Sequence, residues 1–278
     1  LVDNRAASKI TQGITTEITG EGHSIAPQNA AMIAADREVF EHYGVTPSWT
    51  TLAGYFAVLE RKRAAINIGT FVGAGGVREY VMGREQRAPT RAEMAQMEAQ
   101  VAQAMEEGAF GVSTSLLYVP DRFATTAEII ALAKVARRYG GTYITHQRDE
   151  GSRIAQSLEE VFRIAREAAI PAEIWHLKTA GRQNFGRMGE VLRRIEKARA
   201  EGLDITANMY PWTASSNSLH ASLPGWARGG SREAMVARLR DPQVRARVRA
   251  EVREDWGRSD GSHLRIADAL DPALAKYE

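Results

Sequence analysis

The sequence predicts an α/β fold of parallel strands, and specifically a TIM-type (β/α)8 barrel. Six short apolar or β-branched runs alternate with longer segments of helical periodicity. Runs that are apolar on both faces are typical of parallel strands covered by helices. The alternative is an open doubly wound sheet, which usually carries G-x-G-x-x-G after its first strand. The nearest segment, Gly73-Ala74-Gly75-Gly76, lacks the third glycine at that spacing, and this favours the barrel.

The six predicted strands are short and are spread over the first three-quarters of the chain. They span residues 14–19, 66–72, 109–114, 142–146, 172–176 and 203–209. We interpret them as the central six βα units of a barrel, so that the first and last strands are missing. The 278 residues then form one barrel fragment, in which residues 220–278 are a charged helical segment before the missing last strand.

The helices between these strands begin at recognisable signals. Thr90-Arg91-Ala92-Glu93 has the Thr-x-x-Glu pattern of a capping box, and Thr125-Thr126-Ala127-Glu128 repeats it. Apolar residues follow each signal at helical spacing, for example Met94, Met97 and Val101. We expect these methionine-rich stripes to pack in the core.

Composition and charge exclude several classes of function. The chain has 36 Lys and Arg against 34 Asp and Glu, a formal net charge of +2, and no cysteine. Such a balance gives no field that favours nucleic acid or a membrane surface as partner. Absence of cysteine excludes disulfides, zinc-thiolate sites and a thiol nucleophile. It leaves the cellular compartment open, with the cytoplasm favoured.

Three predicted strands are followed by residues that could bind a metal. The strand 142–146 ends in His146, the strand 172–176 ends in His176, and Glu21 follows the strand 14–19. Neighbouring strands lie about 4.8 Å apart, so imidazoles at their ends can converge on one ion. The alternative is that each histidine is a hydrogen-bonded loop residue, which is the better interpretation of either one alone. Two histidines at equivalent strand ends favour metal ligation.

Five segments, in order along the chain, carry a resemblance to a known family. They are Thr11-Gln12-Gly13-Ile14-Thr15-Thr16, Gly111-Val112-Ser113-Thr114-Ser115-Leu116 with Tyr118, Tyr143-x-x-His146-x-Arg148-x-Glu150, His176-x-Lys178-x-x-Gly181-x-x-Asn184-x-Gly186, and Tyr210-Pro211-Trp212-x-Ala214-Ser215-Ser216. Together they resemble the N-acyl-D-amino-acid deacylase (D-aminoacylase) branch of the amidohydrolase superfamily. The resemblance implies a metal-dependent barrel with a small β-sandwich. It also implies hydrolysis of the amide of a small N-acyl amino acid by a water activated by one or two Zn²⁺ ions.

The resemblance assigns roles to particular residues. His146 and His176 match the two metal-binding histidines of the family. Glu21 lies where many members have a metal-binding cysteine, after a one-residue gap in the alignment. Lys178, Tyr210 and Ser216 match positions that hold the carboxylate or the scissile carbonyl of the substrate.

The sequence also departs from the family pattern. Val72-Gly73-Ala74-Gly75 stands where members commonly have Val-Gly-His-Gly, and no His-x-His strand precedes residue 14. The family's catalytic Asp ends the last strand, which we expect to lie beyond this chain. Ser259-Asp260-Gly261 matches its local context but follows a charged helix end, so the catalytic residue stays unassigned. We therefore expect the isolated chain to be inactive.

Two alternatives to the deacylase remain open from the sequence. One is another cyclic-amide or dipeptide amidohydrolase on the same barrel, because the departures affect the wall of the site. The other is a metal-free scaffold that kept the fold without the chemistry. The oligomeric state is not predicted.

Overall fold

The computed structural model describes residues 2–212, 214–230 and 232–255. It divides into two compact units, Leu1–Met209 and Tyr210–Glu278. The first unit holds every strand of the described residues, and the second is built of helices and turns. Within the described residues, no helix is both long and apolar enough to cross a membrane.

The strands of the first unit are all parallel and form two sheets. A two-stranded sheet pairs β1 (Thr16–Thr19) with β2 (Asn67–Thr70). A five-stranded sheet follows in the order β3 (Val72–Gly73), β4 (Gly111–Ser115), β5 (Thr142–His146), β6 (Ala172–Ile174) and β7 (Ile205–Ala207). The predicted class, α/β with parallel strands, is therefore confirmed.

The order of the five-stranded sheet distinguishes between the two parallel architectures. A doubly wound sheet reverses its strand order once, and ligands bind at that reversal. The order here follows the chain from β3 to β7 without a reversal. Because parallel crossovers are right-handed, this order places successive helices on the same face of the sheet, as in the wall of a barrel.

Nine α-helices of the first unit lie before or between the strands in the described residues, with none between β2 and β3. They are α1 (Ala7–Ile10), α2 (Ala30–Ala35), α3 (Arg37–His42), α4 (Leu52–Lys62), α5 (Ala74–Met82), α6 (Arg91–Glu106), α7 (Thr126–Arg138), α8 (Ile154–Ala168) and α9 (Met188–Ala200). The predicted methionine stripe of α6 is core, since Met97 and Val101 are fully buried. Burial of such side chains against the sheet stabilises the fold by about 1.5–3 kcal/mol each.

The glutamate of the predicted capping pattern completes the capping box in α6 but not in α7. Thr90 and Glu93 form a complete capping box at the start of α6. Thr125 caps α7 by accepting a hydrogen bond from the Glu128 N–H, as the pattern predicts. The Glu128 carboxylate does not return to the cap, however, because Arg78 of α5 binds it at 2.6 Å inside the core.

Five of the six predicted strands have different boundaries in the structure, all except 142–146, and two of the differences bear on the site. The segment 66–72 is divided at Phe71 between β2 and β3, which belong to different sheets. The segment 172–176 ends as a strand at Ile174, so His176 lies in the following loop. There the Asn208 side chain accepts a hydrogen bond from the His176 N–H at 2.7 Å, and this side-chain contact replaces a ladder bond.

The second unit contains α10 (Arg232–Arg240) and α11 (Pro242–Asp255) where the sequence predicts charged helices. Two short 3-10 turns, Leu219–Ser222 and Gly225–Ala227, precede them. The Trp226 indole donates to Glu251 at 2.9 Å, and the Arg247 guanidinium lies 4.1 Å from the Trp226 ring centre. Asp260 and its Ser-Asp-Gly context lie outside the described residues.

Candidate metal centre

Three side chains that the sequence singles out meet at the carboxyl ends of the strands. Glu21 Oε1 lies 3.0 Å from His146 Nδ1 and 3.0 Å from His176 Nε2. One donor atom from each residue lies within 4.8 Å of the others. The imidazole rings are 4.6 Å apart, nearly perpendicular. Residues far apart in sequence are thus brought to one point by strands of both parallel sheets.

The loop that carries Glu21 is packed tightly onto β4. The Gly22 N–H donates to Ser113 Oγ at 3.1 Å, and the Ser113 hydroxyl donates to the Gly20 carbonyl. Gly22 has φ +67°, and a Cβ there would lie 2.2 Å from Ser115 Cβ. Only glycine fits this approach of backbone to strand, so the loop conformation that presents Glu21 depends on it.

The two histidines are held by different means. His146 is the last residue of β5 and is buried, with the Tyr118 ring 5.2 Å from its own. His176 follows β6 with φ +37°, an unusual value for a residue with a side chain. Hydrogen bonds of the His176 and Leu177 amides to Asn208 hold it there. Backbone strain of this kind persists where the surroundings enforce it, often at a functional site.

A second carboxylate, Glu150, completes the cluster. Its Oε1 lies 3.1 Å from His176 Nδ1 and 2.8 Å from Lys178 Nζ, and its side chain is 10% exposed. Lys178, predicted to bind substrate, therefore lies beside Glu150 and His176. Glu150 was not predicted as a site residue, although its position four residues after His146 in the Tyr143-x-x-His146-x-Arg148-x-Glu150 segment was a usable signal.

Mutual contacts shift the pKa values of the acidic and basic groups apart. Burial raises the pKa of Glu21, but hydrogen bonds from His146 and His176 outweigh it and bring the value to about 2. Burial lowers the pKa of His176, but hydrogen bonds to Glu150 and Glu21 raise it to about 9. The pKa of Glu150 is lowered because its contacts with His176, His146 and Lys178 outweigh burial. The negative charges of Glu21 and Glu150 therefore lie against the positive charges of His176 and Lys178.

The donor set fits a zinc ion. Tetrahedral Zn²⁺ with bonds of 2.0–2.1 Å to nitrogen separates its ligand atoms by about 3.3 Å, close to the 3.0 Å found between Glu21 and each imidazole. Two neutral imidazoles and a carboxylate are ligands that zinc takes in catalytic sites. His146 Nε2 is buried and has no hydrogen-bond partner among the described residues, while its Nδ1 faces the cluster.

The other two predicted substrate residues belong to the second unit. Tyr210 is the first residue of that unit and is half-buried, and Ser216 is exposed. Their roles remain predictions.

Two glycines of the segment 72–75 lie in close contact with the Glu21 loop and with Asp121. A Cβ on Gly73 would lie 2.2 Å from the Gly22 carbonyl, and one on Gly75 would lie 2.9 Å from Asp121 Cγ. Asp121 is buried and accepts a hydrogen bond from the Ser115 N–H. The segment 72–75 therefore packs directly against the Glu21 loop. Sequence reasoning missed Asp121, because nothing in its local sequence indicates burial.

Fold and site together define a class: an α/β protein of parallel strands with a Glu/His cluster that could hold a metal ion at their carboxyl ends, where such folds place their chemistry. No family model matches the chain. It is 41% identical over 212 residues to the D-aminoacylase of Alcaligenes xylosoxydans xylosoxydans, which covers 76% of this chain and 43% of the relative. The chain thus spans less than half the length of that relative.

Solved structures agree. A D-aminoacylase structure described as defining a novel subset of amidohydrolases matches with a TM-score of 0.66 and 37% identity, over 74% of this chain and 44% of that one. An N-acyl-D-glutamate deacylase from Bordetella bronchiseptica, complexed with zinc and a phosphonate inhibitor, matches with a TM-score of 0.67 and 34% identity, over 73% and 43%. The chain is therefore homologous to the D-aminoacylase and N-acyl-D-amino-acid deacylase branch of the amidohydrolases, which confirms the resemblance.

Proposed function

We propose that this chain is the metal-binding core of an amidohydrolase that hydrolyses the amide bond of N-acyl amino acids. The observation that carries the proposal is the convergence of Glu21, His146 and His176 at the carboxyl ends of parallel strands. Homology to proteins named D-aminoacylase and N-acyl-D-glutamate deacylase supports the substrate class and its D configuration. The parallel strands then form part of a (β/α)8 barrel.

His146, His176 and Glu21 hold the metal in this proposal, with zinc as the ion. Zinc, when bound, supplies Lewis acidity toward an amide carbonyl and an activated water. Glu21 reaches both imidazoles with one oxygen, so a single ion is the simplest occupancy, and a second ion needs further ligands. The described residues present one such group of three.

Lys178 binds the carboxylate of the substrate. Its side chain is 27% exposed, and its ammonium group contacts His176, a proposed metal ligand, and is held by Glu150. A fixed cation beside the proposed metal ligands would hold an anionic substrate in one orientation at the site. The hydroxyls of Tyr210 and Ser216 are hydrogen-bond donors suited to the same carboxylate or to the scissile carbonyl.

Zinc analysis of the purified chain tests the metal assignment. We expect stoichiometric zinc in the wild-type chain and its loss in both His146→Ala and His176→Ala. His42→Ala, which removes an exposed imidazole from α3, is the matched control and keeps its zinc. Unchanged zinc content in both site variants would refute the assignment, and a wild-type chain that binds no zinc would favour the metal-free scaffold.

Amine release from N-acetyl-D- and N-acetyl-L-amino acids by the full-length gene product tests the reaction. Release from the D series supports the deacylase. Turnover of cyclic amides or dipeptides without release from either N-acetyl series would identify the alternative amidohydrolase.

A further inference from the structure

Each imidazole of His146 and His176 has one nitrogen near Glu21 and a second nitrogen on the far side of the ring. The carboxylate of Glu150 lies near this second nitrogen in both rings. Glu21 contacts Nδ1 of His146 and Nε2 of His176. Glu150 lies at the opposite nitrogen of each ring, with Oε1 3.1 Å from His176 Nδ1 and Oε2 3.7 Å from His146 Nε2. Both imidazoles are therefore placed between two carboxylates, of which Glu150 is the more buried.

We propose that Glu150 is a positioning residue that fixes the tautomer of His176 for metal binding and anchors Lys178 with the same carboxylate. The metal centre and the cation for the substrate carboxylate would then depend on one side chain. This inference rests on the proposed function, because it takes His176 as a metal ligand and Lys178 as an anion-binding residue.

The hydrogen-bond inventory of the cluster leads to this assignment. A neutral imidazole has one donor and one acceptor nitrogen, whereas an ammonium group only donates. Lys178 Nζ lies 2.7 Å from His176 Nδ1, so two arrangements compete at that nitrogen. If Nδ1 accepts from Lys178, the proton is on Nε2 and points toward Glu21. If Nδ1–H donates to Glu150, Nε2 carries the lone pair that a metal binds.

Glu150 favours the second arrangement because it accepts from both competitors. Its carboxylate accepts hydrogen bonds from the Nδ1–H of His176 and from the ammonium group of Lys178. The Lys178 ammonium group also donates to the His176 carbonyl at 2.9 Å. Lys178 then has partners other than the ring. A carboxylate behind a metal-bound histidine fixes its orientation and raises its basicity, and its loss usually weakens metal binding by about 10–100-fold.

The chain with Glu150→Gln tests the proposal, because glutamine keeps the size of the side chain and removes its charge. Competition with a chromogenic chelator measures zinc affinity, and we expect about 10–100-fold weaker binding than wild type. Glu190→Gln is the matched control: it removes a carboxylate from an exposed cluster with Arg187 and Arg194 on α9, and affinity should stay unchanged. Zinc affinity in Glu150→Gln within about twofold of wild type would overturn the proposal.

Imidazole nitrogen NMR on the zinc-loaded chain reports the protonation of His176 Nδ1 directly, which would not change if Glu150 only supported the fold. We expect a hydrogen-bonded proton on His176 Nδ1 in the wild type, and loss of its low-field shift in Glu150→Gln. An unchanged Nδ1–H signal in the variant contradicts the proposal. These results are distinct from failure of the proposed function, in which the wild type itself does not bind zinc through His146 and His176.

Lys178→Met keeps the proposal falsifiable if Glu150→Gln does not fold. It removes the cation and leaves Glu150 against His176, so zinc affinity should be retained while binding of an N-acetyl amino acid weakens. A tenfold or greater loss of zinc affinity would assign the positioning of His176 to Lys178 instead, and would overturn the role of Glu150.

Discussion

Arg78 and Glu128 form an ion pair inside the core of the first unit, with Arg78 Nη1 2.6 Å from Glu128 Oε1 and side-chain exposures of 1% and 3%. Arg78 Nη2 also donates to the carbonyls of Glu85 and Arg87. The pair joins α5 to the first turn of α7. A guanidinium buried in this way depends on its partner, because an unpaired charge in the interior is strongly unfavourable.

Glu128→Ala should therefore destabilise the chain by about 3–5 kcal/mol. The variant leaves Arg78 buried without its counter-charge, while the Thr125 cap and the rest of α7 stay intact. Urea unfolding followed by circular dichroism measures the change. Glu167→Ala breaks the exposed Arg163–Glu167 pair of α8 as a control and should cost no more than about 0.5 kcal/mol. Equal losses in the two variants would contradict the importance of burial.

Gly22→Ala should lower zinc affinity by at least tenfold, since a Cβ at this position would meet β4 and displace Glu21. Gly13→Ala provides a control with the same backbone requirement: Gly13 has φ +78° and nothing within 4 Å of the Cβ position. Both substitutions carry the roughly 1–2 kcal/mol strain of a left-handed alanine. Chelator competition measures the zinc affinity of both variants and so separates the effect of the Gly22 contact from that of backbone strain. Equal zinc affinities in the two variants would show that the Gly22 contact does not position Glu21.

Ser113→Ala should weaken zinc binding without unfolding the chain. Removal of its hydroxyl takes away the acceptor for the Gly22 N–H and the donor to the Gly20 carbonyl. A lost buried hydrogen bond costs about 1–3 kcal/mol, and the effect is concentrated in the loop of Glu21. Hydrogen exchange of the Gly22 amide in the metal-free chain should accelerate in the variant. Unaltered exchange at Gly22 would exclude Ser113 as the support of this loop.

Asp121 should make stability fall as pH rises from about 4 to about 7. Burial raises the pKa of its carboxyl to about 7, although the Ser115 N–H and the charges of His23 and Arg148 lower it. The folded chain then holds a proton that the unfolded chain, with the ordinary value of 3.8, has released. Three pKa units correspond to about 4 kcal/mol, lost progressively across this window.

Asp121→Asn removes this titration and supplies the measurement. The difference in unfolding free energy between the variant and the wild type should shift in favour of the variant between pH 4.5 and pH 7.5, with most of the change above pH 5. Titrating groups that do not interact with Asp121 are common to both proteins and cancel in the difference, whereas His23, whose pKa the Asp121 charge helps to raise, stays coupled to it. A difference that is constant with pH would show that Asp121 is ionised in the fold throughout.

Sequence reasoning found the parts of this molecule that depend on short-range pattern. Parallel strands and capped helices have periodic or local signals, and a residue at the end of a strand is placed by the strand itself, as His146 is. Glu150 and Ser113 escaped assignment because their contacts depend on how loops close over the sheet. Glu128 was half predicted: its N–H follows the local capping pattern, whereas its carboxylate is taken by Arg78, fifty residues away in sequence.

The position of Glu21 in the loop that follows β1 has a consequence for folding kinetics. Its imidazole partners lie 125 and 155 residues further along the chain, so the cluster closes through contacts of very long sequence separation. Such contacts form slowly, because loop closure must come before they stabilise the fold. Zinc should therefore bind with full affinity only after β1 has docked against the later strands, and a pulse of zinc during refolding would report the last stage of assembly, not the first.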